Sequence, residues 1–173
     1  MSLTEATEAD IRSVSLQLGR EARDIVAIAA RCICGNPIVV QTSPRLSDGT
    51  PFPTMYYLTL PAATAALSTL EAGGVMVALQ DRLAAEPEFA TAYLKAHEAF
   101  LADRAKLGVV EEIEGISAGG MPTRVKCLHA LAGHALAAGP GVNLVGDAAL
   151  ELCSWKQNVC QCKPAIDVDV INN

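Results

Sequence analysis

The stretch that most constrains the fold covers residues 115–141, GISAGGMPTRVKCLHALAGHALAAGPG. Two adjacent glycines precede Pro122, an alanine-rich apolar segment follows, and the run GPG from Gly139 closes it. Proline suits the first turn of a helix, because its missing N–H would be unpaired there, and glycine favours a helix end. The pattern therefore predicts a loop followed by a helix that begins at Pro122 and ends near Gly139.

Length and composition limit the classes of protein that fit. The chain has 173 residues and a formal net charge of −6. No apolar run reaches the roughly 18 residues of a membrane span, and the acidic N-terminus lacks the features of a secretory signal. Binding to nucleic acid is disfavoured because it requires clustered Lys and Arg. We expect a cytoplasmic protein with one domain over residues 1–155 and a C-terminal tail over residues 156–173.

Three segments near the N-terminus have strand character. Residues 24–30, DIVAIAA, form a short apolar run typical of a strand buried on both faces, and residues 38–42 and 54–60 follow it. The turn sequence CICGNP separates the first two segments, and a proline-bounded loop over residues 43–53 separates the second from the third. The simplest assembly of these segments is a three-stranded antiparallel meander.

The remaining pattern is mainly helical, so we predict an α+β fold with five to six helices. Thr7 is expected to cap a helix over residues 7–18, with Asp10 in the capping-box position. Apolar residues at helical spacing and Gly or Pro boundaries predict further helices at residues 62–72, 75–85, 87–107 and 147–155.

The six cysteines are Cys32, Cys34, Cys127, Cys153, Cys160 and Cys162. Disulfides are rare in cytosolic proteins, so metal binding, catalysis or simple burial are the expected roles. The chain contains two C-x-C pairs, one at Cys32 and one at Cys160. Structural zinc sites commonly space two cysteines by two or more residues, so each pair taken locally is a weak metal signal.

Several of these segments resemble a known family. The residues that carry the resemblance are Arg31, Cys32, Cys34 and Gly35, the run PRLSDGTPFPTMYYLTLP at 44–61, the run GGMPTRVKCLHALAGHALAAGPGVN at 119–143, and Gly146-Asp147. Over roughly residues 18–152 the chain resembles the domain-of-unknown-function 501 family, small bacterial proteins that are common in actinobacteria. The family name implies no reaction. Its members often lie near genes for cell division and for hydrolysis of polyphosphate or phosphate esters.

The chain departs from the family pattern in two places. Family members commonly carry Cys at the position of Leu60. If that Cys is a metal ligand, this chain has lost the site or has replaced the ligand. Cys153, Cys160 and Cys162 lie at or beyond the end of the resembling region. They are either replacement ligands or a separate local feature.

The predicted helix start over residues 119–124 is a candidate anion site. Gly119 and Gly120 let the backbone approach a ligand closely, and the N–H groups of a helix N-terminus attract anions. Arg124 and Lys126 add positive charge, although the spacing is not that of a P-loop. A phosphate or carboxylate of a small metabolite is the expected ligand. The alternative is a tight turn with two solvated basic residues.

Cys127, His129 and His134 are the candidate catalytic residues. A helix turns by about 100° per residue, so Cys127 and His134 share a face about 10.5 Å apart along the axis, whereas His129 lies on another face. A metal site that uses Cys127 must therefore recruit Cys32 and Cys34, and zinc or an iron–sulfur cluster is the expected cofactor. The alternative is that Cys127 is a buried small hydrophobe.

Other polar residues have simpler interpretations. Arg45 and Asp48, in the proline-bounded loop, form either a loop-stabilising pair or part of the ligand site. Asp48 precedes a glycine, which is typical of a turn. His97 is more typical of a packed, hydrogen-bonded histidine. Asn143 and Asp147 fit turn and helix-cap positions.

Three functions from different classes remain open. The first is an anion- or metabolite-binding domain, enzymatic through Cys127 or a His. The second is a metal-binding protein using Cys32, Cys34, Cys127 and a His. The third is a non-catalytic adaptor linked to cell division, in which the proline-rich loop and the strand with Tyr56 and Tyr57 bind a protein partner or a second copy of the chain.

Overall fold

The structure, a computed structural model, describes residues 3–162. Along the chain the elements are β1 (Thr4–Glu5), α1 (Glu8–Leu18), β2 (Ile25–Arg31), β3 (Pro37–Thr42), β4 (Tyr56–Leu58), α2 (Pro61–Ala72), α3 (Val75–Ala85), α4 (Pro87–Ala105), a 3-10 turn (Glu111–Ile113), α5 (Leu128–Ala138) and α6 (Leu144–Leu152). The predicted α+β class is confirmed. Residues 156–162 of the predicted tail are described, and the rest of it lies outside the described residues.

The sheet is an antiparallel meander in the order β1-β2-β3-β4. The prediction of three strands was one strand short. The missed strand, β1, pairs Thr4 with Ile28 and Glu5 with Ala27 at the edge of the sheet. It has only two residues, both exposed, so it shows no alternation of apolar and polar side chains that a sequence pattern could reveal.

The central strands are covered on both faces. On one face, Val14 of α1 packs with Ile28 and Val40 in a small apolar cluster. On the other face, α5 contacts β2, β3 and β4, and the larger core of the protein gathers there. Double coverage explains the apolar runs of β2 and β3, since a strand buried on both faces has no polar side to display.

The start of α1 is held by the predicted capping box. The Thr7 hydroxyl accepts from the Asp10 backbone N–H, and the Asp10 carboxylate accepts from the Thr7 N–H. The same carboxylate forms a bidentate pair with Arg31, at 2.6 and 2.9 Å. The Arg31 guanidinium holds the pKa of Asp10 well below its usual range. Arg31 also donates to the Gly35 carbonyl, so this network ties α1 to the turn that carries the first two cysteines.

Helix α5 begins at Leu128 rather than at the predicted Pro122. The preceding segment is a loop with a cis Met121–Pro122 peptide bond. A side chain distant in sequence satisfies its backbone: the amide of Gln80 donates to the Thr123 carbonyl at 3.1 Å and accepts from the Val125 N–H at 2.9 Å. A helix that began at Pro122 would bond these backbone groups within itself. Because they are bonded to Gln80 instead, the helix starts later, at Leu128.

The helices α2 and α3 follow each other closely and are both rich in apolar residues. The two helices bend by 70° at the break between Ala72 and Val75. Taken together, the bent pair has the length and the apolar composition of a membrane span. Within residues 3–162, no single helix is both long enough and apolar enough to cross a membrane.

Candidate metal centre

The turn between β2 and β3 presents two cysteines at one end of the sheet. The Cys32 N–H donates to the Asn36 carbonyl and the Cys32 carbonyl accepts from the Gly35 N–H, both at 2.8 Å. Gly35 has φ +91°, a left-handed conformation that glycine adopts without a side-chain clash. The turn holds Cys32 in the core, at 4% exposure, and leaves Cys34 at the surface.

The segment after α6 brings two more cysteines to the same place. Trp155, which is 2% exposed, anchors the segment in the core. A hydrogen-bonded turn follows, in which the Val159 N–H donates to the Lys156 carbonyl at 3.1 Å. Beyond this turn, Cys160 and Cys162 lie against the β2–β3 turn. The anchor and the turn therefore set the path of the chain before it reaches the cysteines.

The four thiols of Cys32, Cys34, Cys160 and Cys162, hereafter the thiol cluster, all lie within 4.8 Å of one another. The sulfurs of Cys34 and Cys162 lie 3.5 Å apart. A tetrahedral ion with metal–sulfur bonds of about 2.3 Å separates its sulfur ligands by about 3.8 Å. The four free thiols therefore lie close enough together to bind one ion.

The surroundings shift the thiol pKa values in opposite directions. A backbone hydrogen bond from Asn36 lowers the pKa of Cys34 to about 7. Burial raises the pKa of Cys32, and burial raises that of Cys162 to about 12. Closely spaced thiolates repel one another, and the positive charge of a bound divalent cation offsets that repulsion and favours the deprotonated thiols. The cluster is thus one in which cation binding and thiol ionisation support each other.

A second group of potential ligands lies at the start of α5. One ligand atom each from Glu71, Cys127 and His129 lies within 4.8 Å of the other two. The Glu71 carboxylate accepts from the Leu128 N–H at 2.7 Å and lies 3.2 Å from His129 Nδ1. His129 Nε2 lies 3.0 Å from the Thr64 carbonyl oxygen. We call the three residues Glu71, Cys127 and His129 the mixed cluster.

The expectation that Cys127 and His129 lie on separate faces of one helix was wrong. It assumed that Cys127 lies inside the helix. Cys127 is instead the residue before the first turn of α5, with extended backbone angles of φ −153° and ψ 108°. Its side chain is therefore free of the helical rotation that would separate it from His129.

The predicted metal ligands are divided between the two groups. Cys32 and Cys34 belong to the thiol cluster, whereas Cys127 belongs to the mixed cluster. Cys160 and Cys162 were considered only as replacements for the family Cys at the position of Leu60 or as a separate local feature, and Glu71 was not considered as a ligand. Cys160 and Cys162 repeat the C-x-C spacing of Cys32 and Cys34, and this repeated spacing is an indication of a shared metal site that the sequence itself contains. Glu71 is the only charged residue of α2, which is a weaker indication of a metal ligand.

His134, the third catalytic candidate, lies in the core apart from both groups. It is fully buried, its ring stacks on Tyr56 with centroids 5.9 Å apart, and Phe100 meets it edge-on. The Asn143 amide donates to His134 Nδ1 at 3.2 Å, so the ring is neutral with its proton on Nε2. Among the described residues Nε2 has no hydrogen-bond partner.

Stability at acid pH is expected to depend on His134. Burial lowers its pKa to about 4, so below the ordinary pKa of about 6.5 the unfolded chain takes up a proton that the folded chain does not. The free energy of unfolding should therefore fall by about 3 kcal/mol as the pH drops from 6.5 to 4. Urea unfolding at several pH values should show a shallower dependence in His134→Leu. An equal dependence in both proteins would contradict the assignment, and any effect of a bound metal cancels in the comparison.

Side chains of the protein itself fill the space beside the two glycines of the predicted anion site. A Cβ at Gly119 would lie 2.6 Å from Leu131 Cδ2, and one at Gly120 would lie 2.9 Å from Lys126 Cγ. Both glycines also have positive φ. Arg124 and Lys126 are exposed. Because residues 119–124 form a loop, they are not the helix start on which the anion site was predicted. Binding of an anion by the two basic side chains stays a prediction.

In the proline-bounded loop, Arg45 and Asp48 do not pair with each other, and each bonds to a different partner. Arg45 pairs with Glu112 at 2.6 Å and donates to the Gly49 carbonyl at 2.8 Å. Asp48 accepts from the Thr50 N–H at 2.9 Å, the turn role that its sequence indicates. A ligand-binding role for Arg45 and Asp48 stays a prediction.

Comparison with known proteins gives one match. The model of a family described as "Protein of unknown function (DUF501)" matches residues 28–151, well over half of the chain. No curated protein and no solved structure matches it. The match includes Cys32, Cys34 and the whole mixed cluster, and it ends before Cys160 and Cys162. At the position of the expected family Cys, Leu60 is buried in the core directly before α2.

Proposed function

The chain belongs to the family described as "Protein of unknown function (DUF501)", and we propose that this member is a metal-binding protein that holds one zinc ion in its thiol cluster. The observation that carries the proposal is the convergence of four sulfurs within 4.8 Å of one another. They come from two segments of the chain more than 120 residues apart, so their convergence is a product of the fold and not of local sequence.

The chemistry and spacing of the ligands favour a single zinc ion. Thiolates are soft ligands that select zinc or iron–sulfur clusters over magnesium or calcium. An iron–sulfur cluster distributes its four thiolates over two or four iron atoms, so sulfurs on different iron atoms lie further apart than sulfurs around one ion. Zinc accepts four thiolates tetrahedrally and has no redox chemistry of its own. The compact cluster is therefore better suited to zinc.

The role that fits this site is structural. Four protein ligands close the coordination shell, whereas catalytic zinc sites keep a position for water or substrate. The ion would fasten the segment after α6 to the β2–β3 turn. Arg31 and Asp10 hold the β2–β3 turn to α1. Two of the four ligands lie beyond the family match, so in this proposal the site joins the family region to a segment outside it.

Metal analysis of the purified chain tests the proposal. Wild-type protein, purified without chelator and under reducing conditions, is expected to carry a tightly held equivalent of zinc that Cys34→Ser and Cys162→Ser lack. Cys153→Ala is the matched control because Cys153 belongs to neither cluster and bonds only to nearby carbonyls. Equal metal content in wild-type and Cys162→Ser protein would refute the thiol cluster as the site. Visible absorption bands of an iron–sulfur cluster would refute zinc.

A further inference from the structure

We infer that the mixed cluster, Glu71, Cys127 and His129, is a second metal site that keeps one coordination position open for a water molecule or a small anion. It shares no residue with the thiol cluster, and the inference does not depend on the function proposed above. It rests on the orientation of His129, the placement of Glu71 and the partial exposure of the three side chains.

The orientation of His129 is that of a metal ligand. Its Nε2–H donates to the Thr64 carbonyl at 3.0 Å, and the Ser68 hydroxyl lies 3.2 Å from the same nitrogen. Histidines that bind metals almost always donate their second ring N–H to a carbonyl, a carboxylate or water, which fixes the tautomer. The bond to Thr64 directs Nδ1 towards Glu71.

The distance between Nδ1 and the carboxylate fits a shared ion. His129 Nδ1 and Glu71 Oε1 lie 3.2 Å apart. Around a tetrahedral zinc ion, nitrogen and oxygen ligands at about 2.0–2.1 Å are separated by about 3.3 Å. Glu71 Oε1 also accepts from the Leu128 N–H at 2.7 Å, which orients the carboxylate as outer hydrogen bonds orient metal ligands. A metal ion can therefore bind between the two groups without moving either side chain far.

The third ligand and the exposure complete an open site. Cys127 adds a thiolate beside a nitrogen and an oxygen, a mixture that zinc accepts. The side chains of His129 and Glu71 are 25% and 24% exposed, so solvent reaches the cluster. Three protein ligands with a fourth position left to water is the arrangement in which zinc acts as a Lewis acid.

A thiol–imidazole nucleophile fits the contacts less well. In such a pair one ring nitrogen takes the proton of the thiol. Here Nε2 faces the Thr64 carbonyl and Nδ1 faces the Glu71 carboxylate. Each ring nitrogen of His129 has an oxygen atom as its neighbour, and no hydrogen bond joins the ring to Cys127 Sγ among the described residues.

Cobalt titration tests the second site separately from the first. Wild-type chain loaded with one equivalent of zinc is titrated with Co²⁺ while its visible spectrum is recorded. We expect a further equivalent to bind with thiolate-to-cobalt absorption, and sodium azide to shift the bands by entering the open position. Cys127→Ala and Glu71→Gln should weaken this Co²⁺ binding by roughly 100-fold or more, and Glu71→Gln keeps an acceptor for the Leu128 N–H.

Two controls separate the possible failures. His97→Ala, which removes a histidine bonded to Ser117 outside both clusters, should bind Co²⁺ as wild type does. Cys34→Ser/Cys162→Ser should lose the first equivalent and retain the second. The inference is overturned if wild type binds no second equivalent, if Cys127→Ala binds it with unchanged affinity, or if azide leaves the spectrum unchanged. None of these results bears on zinc in the thiol cluster.

Discussion

Replacing Cys160 and Cys162 together by serine is expected to remove the stabilisation of the fold by zinc. A ligand that binds only the folded chain stabilises it by about 4 kcal/mol when its free concentration is roughly 1,000 times its Kd. Serine keeps the size of the side chain but supplies no thiolate, so the variant holds only half of the ligand set. Urea unfolding with and without added zinc should show a large zinc dependence in the wild type and a small one in Cys160→Ser/Cys162→Ser.

The zinc dependence of stability can be checked against a control variant and against pH. Cys153→Ala should retain the zinc dependence, although its core contacts are altered. Because zinc requires deprotonated thiols, the dependence should weaken as the pH falls, most of all through the thiols whose pKa burial raises, Cys32 and Cys162. If the double serine variant gains as much stability from zinc as the wild type, the thiol cluster is not the ion's site.

Gly146→Ala is expected to cost about 3 kcal/mol of folding free energy through overpacking. Gly146 lies in the first turn of α6, where that helix crosses α5. A Cβ at this position would overlap the Leu131 carbonyl oxygen and would come within 2.8 Å of Ala135 Cβ. The clash is with helix backbone, which cannot rotate away as a flexible side chain can, so the two helices must separate. Denaturant unfolding measures the loss.

Gly73→Ala is the matched control for this substitution. Gly73 ends α2 with φ −80°, and a Cβ there would lie 3.3 Å from the Thr69 carbonyl oxygen, a tight contact without overlap. Gly73→Ala should therefore change the stability by well under 1 kcal/mol. Similar losses for the two alanine variants would show that α5 and α6 do not meet as closely at Gly146 as described.

The elements that the sequence predicts well are those decided by local pattern. The apolar runs of β2 and β3 and the capping box of Thr7 and Asp10 need no information from distant residues. Helix α3 was predicted with its observed bounds, Val75–Ala85, because glycine precedes it and proline soon follows it. In each case the deciding contacts are made within a few residues of the chain.

Two failures arise where a distant residue decides the local structure. The start of α5 was predicted six residues early because Pro122 and the glycines indicate a helix start. The side chain of Gln80, more than 40 residues away, instead bonds the loop backbone. No periodicity in the sequence records that contact. Strand β1 is a similar case, since its two residues are strand only because β2 pairs with them.

The sequence predicted two of the four residues of the thiol cluster as the main metal ligands. Cys32 and Cys34 were expected to bind a metal, and the structure places both in the thiol cluster. The remaining ligands were assigned to Cys127 and a His, whereas Cys160 and Cys162 were named only as replacement ligands or a separate local feature. The C-x-C spacing at Cys160 was the better indication, but only the fold shows that the segment after Trp155 returns to the β2–β3 turn.

The central claim is that four thiolates hold one zinc ion, and zinc-edge X-ray absorption tests it most directly. The measurement is best made on Cys127→Ala loaded with one equivalent of zinc, so that the mixed cluster contributes no signal. We predict four sulfur neighbours at about 2.3 Å and fewer than four in Cys127→Ala/Cys34→Ser. A first shell dominated by nitrogen or oxygen at about 2.0–2.1 Å would contradict the account.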